Sequence, residues 1–103
     1  MVLIRMDKER KLIVAGNWKS NKTVAEGLDL VNALWRELAD VKAVDVVVCP
    51  PFTSLESVSK AILDSNIRLG AQNMSENGYG AFTGEIPAGM LKEFSVGYVI
   101  LGH

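Results

Sequence analysis

The sequence predicts an α/β protein built on a parallel sheet. The spacing of apolar residues switches repeatedly between about two, as in strands, and about 3.6, as in helices. Strand-like runs alternate with helix-like stretches in the order β-α-β-α-β-α-β, which is typical of parallel strands joined by right-handed crossovers. The composition agrees, because 49% of the 103 residues are hydrophobic and 22% are charged, as in an ordinary globular domain.

Charge and apolar run length exclude two classes of partner. Eleven Lys and Arg and twelve Asp and Glu are interspersed and give a net charge of -1, so no basic face for nucleic acid is predicted. The apolar runs are shorter than the roughly 18 residues of a membrane helix. We therefore predict a cytoplasmic protein that binds neither nucleic acid nor membrane.

The first strand and helix follow from a short apolar run and a capping motif. Residues 12–15 are apolar, and the polar stretch 16–22 interrupts the pattern. Residues 23–26, Thr-Val-Ala-Glu, match a capping box, in which both side chains satisfy backbone N–H groups at a helix start. A helix is therefore predicted from here to about Asp40, with an apolar stripe formed by Val24, Leu28, Val31, Trp35 and Leu38.

The second unit begins with residues 44–49, which are rich in β-branched Val and end at two prolines. This pattern predicts a buried strand. Cys49 is the only cysteine, so an internal disulfide is excluded, and we expect it to be a small buried hydrophobe. A second capping box, Thr53 to Glu56, predicts a helix that ends near Asn66.

The third unit is less regular. Residues 67–71 predict a weaker strand, and residues 72–87 a glycine-containing loop long enough to be functional or partner-binding. Residues 88–94 predict a short helix, and residues 96–102 a last buried strand. Because the sequence stops at His103, directly after that run, we interpret the chain as part of a longer domain.

Two architectures fit this order. The units average about 28 residues, close to the roughly 31 of a (β/α)₈ barrel, but a doubly wound sheet has similar spacing. In both, ligands bind beyond the carboxyl ends of the strands. Lys19 stands out there, because an ammonium beside a core strand and a Trp favours an anion site, although a lysine extending into solvent is an equal alternative.

A nucleotide-binding module is a second hypothesis. Residues 16–23 read G-x-x-x-x-N-K-T, with Asn21 where the P-loop pattern has glycine and Lys22 in the place of its lysine. No later strand ends in an Asp that could hold magnesium, which counts against this hypothesis. Residues 78–84 resemble G-x-G-x-x-G but have one residue too many and no preceding strand, so no dinucleotide loop is predicted.

Four segments, in order and at family-like intervals, resemble the triosephosphate isomerase family from about Lys11 to the end. They are Gly16 to Asn21 (GNWKSN), Gly70 to Asn73 (GAQN), Gly80 to Ile86 (GAFTGEI) and Ile100 to His103 (ILGH). The resemblance implies that residues 11–103 are the first three βα units and the fourth strand of a (β/α)₈ TIM barrel. Residues 1–10 fall outside it and are predicted to be an N-terminal extension.

By this resemblance, the activity is the interconversion of dihydroxyacetone phosphate and glyceraldehyde 3-phosphate through an enediolate, with no cofactor and no metal. Lys19 and His103 are implied as catalytic residues. Asn17 and Lys19 are implied to bind the small phosphorylated substrate. The loop 72–87 is similar to the family's dimer loop, so Phe82 and Thr83 are expected to contact a partner subunit in a homodimer.

The family's catalytic glutamate, its lid and its glycine-rich phosphate cradle belong to later strands, which this sequence does not contain. We therefore expect residues 1–103 alone to lack isomerase activity, since a general base contributes roughly 10² to 10⁴ in rate. A third hypothesis is a non-catalytic assembly fragment that uses the loop around Phe82.

Overall fold

The computed structural model describes residues 2–4 and 11–103, which form one five-stranded sheet with three helices. The strands lie side by side in the order β1-β2-β3-β4-β5. Strand β1 is antiparallel to β2, and the other neighbouring pairs are parallel. The elements are β1 Val2–Ile4, β2 Leu12–Asn17, α1 Val24–Leu38, β3 Val44–Cys49, α2 Phe52–Ala61, β4 Ile67–Ala71, α3 Ala88–Lys92 and β5 Tyr98–Val99. The predicted α/β class is confirmed.

All three helices pack on the same face of the sheet. One buried apolar core joins α1, α2 and α3 to residues of β3 and β4 that share one face of the sheet. Its members are Val31, Val48, Leu55, Val58, Ile62, Ile67, Leu69, Ala71 and Leu91. A doubly wound sheet has helices on both faces and reverses its strand order at a switch point. Here the order from β2 to β5 never reverses, so the chain winds in one direction, as a barrel does.

The predicted capping box at the start of α1 is confirmed. The Thr23 hydroxyl accepts a hydrogen bond from the Glu26 N–H (3.3 Å), and the Glu26 carboxylate accepts one from the Thr23 N–H (2.9 Å). These bonds, first the backbone one, lower the pKa of Glu26. The helix ends at Leu38, close to the predicted Asp40.

The second predicted capping box is wrong. Helix α2 begins at Phe52 with Pro51 as its N-cap, and no side chain caps it. Pro51 has φ -56°, near the value its ring enforces, so the chain already turns into the helix before Thr53. The helix also ends at Ala61 rather than near Asn66. Asn66 instead donates from Nδ2 to the carbonyls of Leu38 (2.7 Å) and Val41 (2.8 Å), which ties the end of α1 to the start of β4.

Strands β2 and β5 differ in length from their predictions. Strand β2 continues to Asn17, because Gly16 and Asn17 stay in parallel register with Val48 and Cys49. Strand β5 contains only Tyr98–Val99, although the Gly97 N–H donates to Leu69 and the Ile100 N–H to Ala71. The predicted run continued to Gly102, but Leu101 is exposed and Gly102 has a φ of 71°. Helix α3 likewise ends at Lys92, two residues before the predicted end.

Part of the predicted N-terminal extension belongs to the sheet. Residues 2–4 form β1 along the edge of β2, whereas residues 1 and 5–10 lie outside the described residues. In the described part of the chain, no helix combines the length and the apolar character needed to cross a bilayer.

Candidate active site

The candidate site begins where β2 ends. Asn17 is the last residue of β2 and lies opposite Cys49, the last residue of β3. Its side-chain oxygen accepts a hydrogen bond from the Lys19 N–H at 2.9 Å, and the Trp18 N–H donates to the Cys49 carbonyl at 3.2 Å. The first contact is an Asx turn, which fixes the Asn17 carboxamide by its oxygen. Its amide nitrogen therefore remains available as a hydrogen-bond donor to a ligand.

Lys19 has an unusual backbone conformation. Its φ of 57° lies in the left-handed region, which costs a non-glycine residue roughly 1–2 kcal/mol. The neighbouring Asn21 side chain donates to the Trp18 carbonyl at 2.8 Å and helps hold this turn. The Lys19 side chain is exposed and, among residues 11–103, forms no ion pair with a carboxylate. Its ammonium is therefore available to an anion.

Gln72 holds this turn against the rest of the sheet, a role that the sequence analysis did not predict. It follows β4 directly, and its side-chain nitrogen donates to the carbonyls of Lys19 (2.8 Å) and Cys49 (2.9 Å). One carboxamide thus links the chain beyond β2 to the ends of β3 and β4. Only its position in the sequence could have indicated this role. Gln72 is the first polar residue after β4, much as Lys19 lies two residues after the end of β2.

His103 reaches the same edge of the sheet by a different route. It follows β5, which runs parallel to β4. Three residues before His103, the Ile100 N–H donates a hydrogen bond to the Ala71 carbonyl at 2.9 Å. The side chain is exposed. Within residues 11–103 no hydrogen bond joins His103 to Asn17 or Lys19. The structure thus brings Asn17 and Lys19 together in one turn, while His103 shares only their end of the sheet.

The long loop after β4 is anchored at its base and open at its tip. The Ser75 N–H donates to the Ile86 carbonyl at 2.8 Å, and this bond closes the loop where it leaves the core. At the tip, Phe82 and Thr83 are exposed, Phe82 by 49% and Tyr79 by 72%. The loop thus exposes two aromatic rings.

The geometry of residues 16–23 does not favour the nucleotide-binding hypothesis. Gly16 lies inside β2, paired with Val48, so it does not open a phosphate-binding loop. The Lys19 N–H, which such a loop would offer to a phosphate, is bonded to Asn17 instead. Lys22, with a φ of 77°, is exposed and directly precedes the Thr23 cap.

A cavity of about 510 Å³ lies beside the turn after β2, and Asn17 and Lys19 do not line it; its lining residues are Trp18, Asn21, Lys22, Glu26 and Leu30. A cavity of about 880 Å³ lies between α2, β4 and the segment that leads into β5, and Asn17, Lys19 and His103 do not line it. Residues 11–103 contain no cluster of three or more His, Cys, Asp or Glu side chains that could hold a metal ion. The candidate site is therefore an open edge carrying one cation and one oriented amide.

Comparison with known proteins gives consistent results. The family model described as triosephosphate isomerase matches residues 12–103. A triosephosphate isomerase of Alkaliphilus metalliredigens is 55% identical over 94 residues, which are 91% of this chain and 38% of that protein. One of Picosynechococcus is 52% identical over 95 residues and is covered to 39%. The chain therefore spans well under half the length of these relatives.

A solved structure extends the similarity to three dimensions. The crystal structure of triosephosphate isomerase from Bartonella henselae superposes with a TM-score of 0.80 at 37% sequence identity, over 88% of this chain and 37% of that one. The parallel strands and their helices therefore match part of a TIM barrel, and the predicted partial (β/α)₈ barrel is confirmed. The residues before position 12 lie outside the family match.

Proposed function

Because the chain belongs to the triosephosphate isomerase family, we propose that it supplies the first part of a site that interconverts dihydroxyacetone phosphate and glyceraldehyde 3-phosphate. The observation that carries this proposal is the Asn17–Lys19 turn, fixed by Gln72 at the carboxyl edge of the parallel strands. In a barrel this edge holds the active site.

The reaction removes a proton beside a carbonyl and forms an enediolate, so it needs charge stabilisation at oxygen and an anchor for the phosphate. In this proposal the Lys19 ammonium stabilises both the phosphate and the enediolate oxygen. The Asn17 amide nitrogen donates a hydrogen bond to the substrate, since the oxygen of the same carboxamide is already occupied by Lys19. His103 polarises the carbonyl from the end of β5.

No cofactor or metal takes part in this proposed reaction. The base that removes the proton is implied by the family resemblance to lie on a later strand. Residues 1–103 alone are accordingly proposed to be inactive. Saturable isomerase turnover by this chain, abolished by Lys19→Ala, would contradict that part of the proposal.

A chimeric enzyme tests the site itself. In the chimera, this chain replaces the matched segment of the Alkaliphilus metalliredigens relative, which is 55% identical. We expect isomerase activity, and we expect Lys19→Met to lower kcat/KM by about 10²-fold or more. Lys22→Met is the matched control, because it removes an exposed ammonium three residues away and should leave kcat/KM nearly unchanged.

The outcomes of this experiment are distinct once folding is checked. Circular dichroism and gel filtration establish that each variant has the fold and size of the parent relative. A folded chimera without activity contradicts the proposal, as does a Lys19→Met variant no weaker than Lys22→Met.

The loop after β4 supports a homodimer as part of the same proposal. Phe82 and Tyr79 are exposed at its tip, and Thr83 lies next to Phe82. In the chimera, Phe82→Asp should raise the dimer dissociation constant measured by sedimentation. Leu63→Asp is the control and should not raise it, because Leu63 is 75% exposed and precedes β4, outside this loop. The predicted cytoplasmic location belongs to this proposal as well.

A further inference from the structure

Strand β2 has neighbours on both of its edges. On one edge β3 runs parallel to it over six residue pairs. On the other edge β1 runs antiparallel, with Val2 opposite Ala15, Leu3 opposite Val14 and Ile4 opposite Ile13. The backbone of β2 is therefore paired on both sides over residues 13–15.

This arrangement conflicts with a closed barrel. In a (β/α)₈ barrel all strands are parallel and the sheet closes on itself, so each strand has a parallel neighbour on both edges. Strand β3 already occupies one edge of β2. The closing strand must therefore pair with the edge that β1 covers, and one edge offers only a single row of N–H and C=O groups.

We propose that Val2–Ile4 is a removable edge cap, which covers β2 while the sheet is open and gives way to the parallel strand that closes the barrel. An uncovered strand edge is a template for pairing with other chains. A three-residue strand adds few ladder bonds, so a longer parallel strand can replace it. The cap lies outside the residues that match the family, and this inference rests on the fold rather than on the proposed chemistry.

Disulfide cross-linking tests the register of the cap in the 103-residue chain. Directly opposed residues of antiparallel strands have Cα atoms about 4.5–5.5 Å apart, within the range a disulfide spans. The Val2→Cys, Ala15→Cys pair should therefore form a disulfide in oxidised glutathione. The control pair Leu3→Cys, Ala15→Cys should cross-link about tenfold more slowly or less, since neighbouring residues of a strand face opposite sides. Equal rates for the two pairs would overturn the proposal.

Competition is tested by the same pair in the chimera described above. We expect the Val2→Cys, Ala15→Cys disulfide to form about tenfold more slowly there than in the 103-residue chain, because the closing strand holds the edge of β2. An active chimera that cross-links as fast as the 103-residue chain would overturn the cap. The activity of the chimera without the added cysteines tests the proposed function separately, so the two failures are distinguishable.

Discussion

Replacing Gly70 by alanine should destabilise the sheet through one specific contact. Gly70 lies in β4 opposite Tyr98. A Cβ atom built on it would lie 2.6 Å from Cys49 Sγ and 3.1 Å from Val47 Cγ1. Cys49 and Val47 are each 1% exposed, so neither side chain has open space to move into. Either the sulfur or the backbone of β4 must shift.

The expected magnitude follows from two opposing effects. An extra methyl group in a well-packed core costs about 1–3 kcal/mol. Alanine in a strand interior recovers roughly 0.5–1 kcal/mol relative to glycine. The two ranges differ by about 0–2.5 kcal/mol. We expect a net loss of about 1–2 kcal/mol for Gly70→Ala, most of it from the Cys49 sulfur, because Cys49 and Val47 have no open space to move into.

Urea unfolding, followed by tryptophan fluorescence and circular dichroism, measures this loss. Gly78→Ala is the matched control, because a Cβ there meets nothing within 4 Å, and it should change the free energy of unfolding by less than about 0.5 kcal/mol. In a Cys49→Ala background, the Gly70→Ala cost should fall by about 1 kcal/mol, since the contact at 2.6 Å is gone. A Gly70→Ala variant as stable as the parent, or a cost independent of Cys49, would refute the reasoning.

Four further predictions concern single groups. Burial raises the pKa of the Cys49 thiol to about 11, so an aromatic disulfide reagent at pH 8 should react slowly with the folded chain and rapidly in urea; equal rates would contradict its burial. Thr23→Ala should cost about 0.5–2 kcal/mol through loss of the α1 cap, measured by urea unfolding. The pKa of Glu26 is lowered, mainly by the hydrogen bond from the Thr23 N–H. The Glu26 carboxylate should therefore stabilise the fold at pH values above the ordinary glutamate pKa, and this stabilisation should be lost as the pH falls through the pKa of Glu26 in the folded protein. Glu26→Gln should flatten this pH dependence in urea unfolding. Burial, and then the hydrogen bond that the Tyr98 hydroxyl donates to Asp45 (3.1 Å), raise the pKa of Tyr98. Its contribution to the free energy of unfolding should therefore be complete below the ordinary tyrosine pKa and be lost as the pH rises through the pKa of Tyr98 in the folded protein. An alkaline stability profile unchanged by Tyr98→Phe would contradict this.

The sequence predicted the elements well where a local signal decides them. The Thr23–Glu26 capping box involves residues three apart, so it is readable without the fold. The same motif at Thr53 failed because Pro51, two residues earlier, already starts the helix. Unit length did not decide between a barrel and a doubly wound sheet, since it is similar in both and the choice depends on which face each helix covers. The family resemblance predicted the barrel.

The sequence predicted which residues lie at the carboxyl edge of the strands, but not their contacts. Asn17 ends β2, Lys19 lies two residues after it and His103 follows β5, and parallel strands place residues at their carboxyl ends along one edge. Gln72 had the same kind of position, yet its two partners are backbone carbonyls, one of them 53 residues away. Every residue has a backbone carbonyl, so the residue types in a sequence do not indicate which carbonyl a side chain will contact. The left-handed φ of Lys19 was not predictable either, because lysine has no preference for that region. In the structure its N–H and its carbonyl are bonded to the side chains of Asn17 and Gln72.

The order of β2, β3, β4 and β5 in the sheet has a consequence for how the chain folds during synthesis. Each of these strands pairs with the next one along the chain, so each docking step closes a short loop of one helix and its connections. Short loops close quickly and at low entropic cost. On a ribosome, β3 can pair with β2 before β4 has emerged, and each later unit adds to an existing edge. The growing end of the sheet therefore always has a template, and assembly need not wait for a distant segment until the barrel closes.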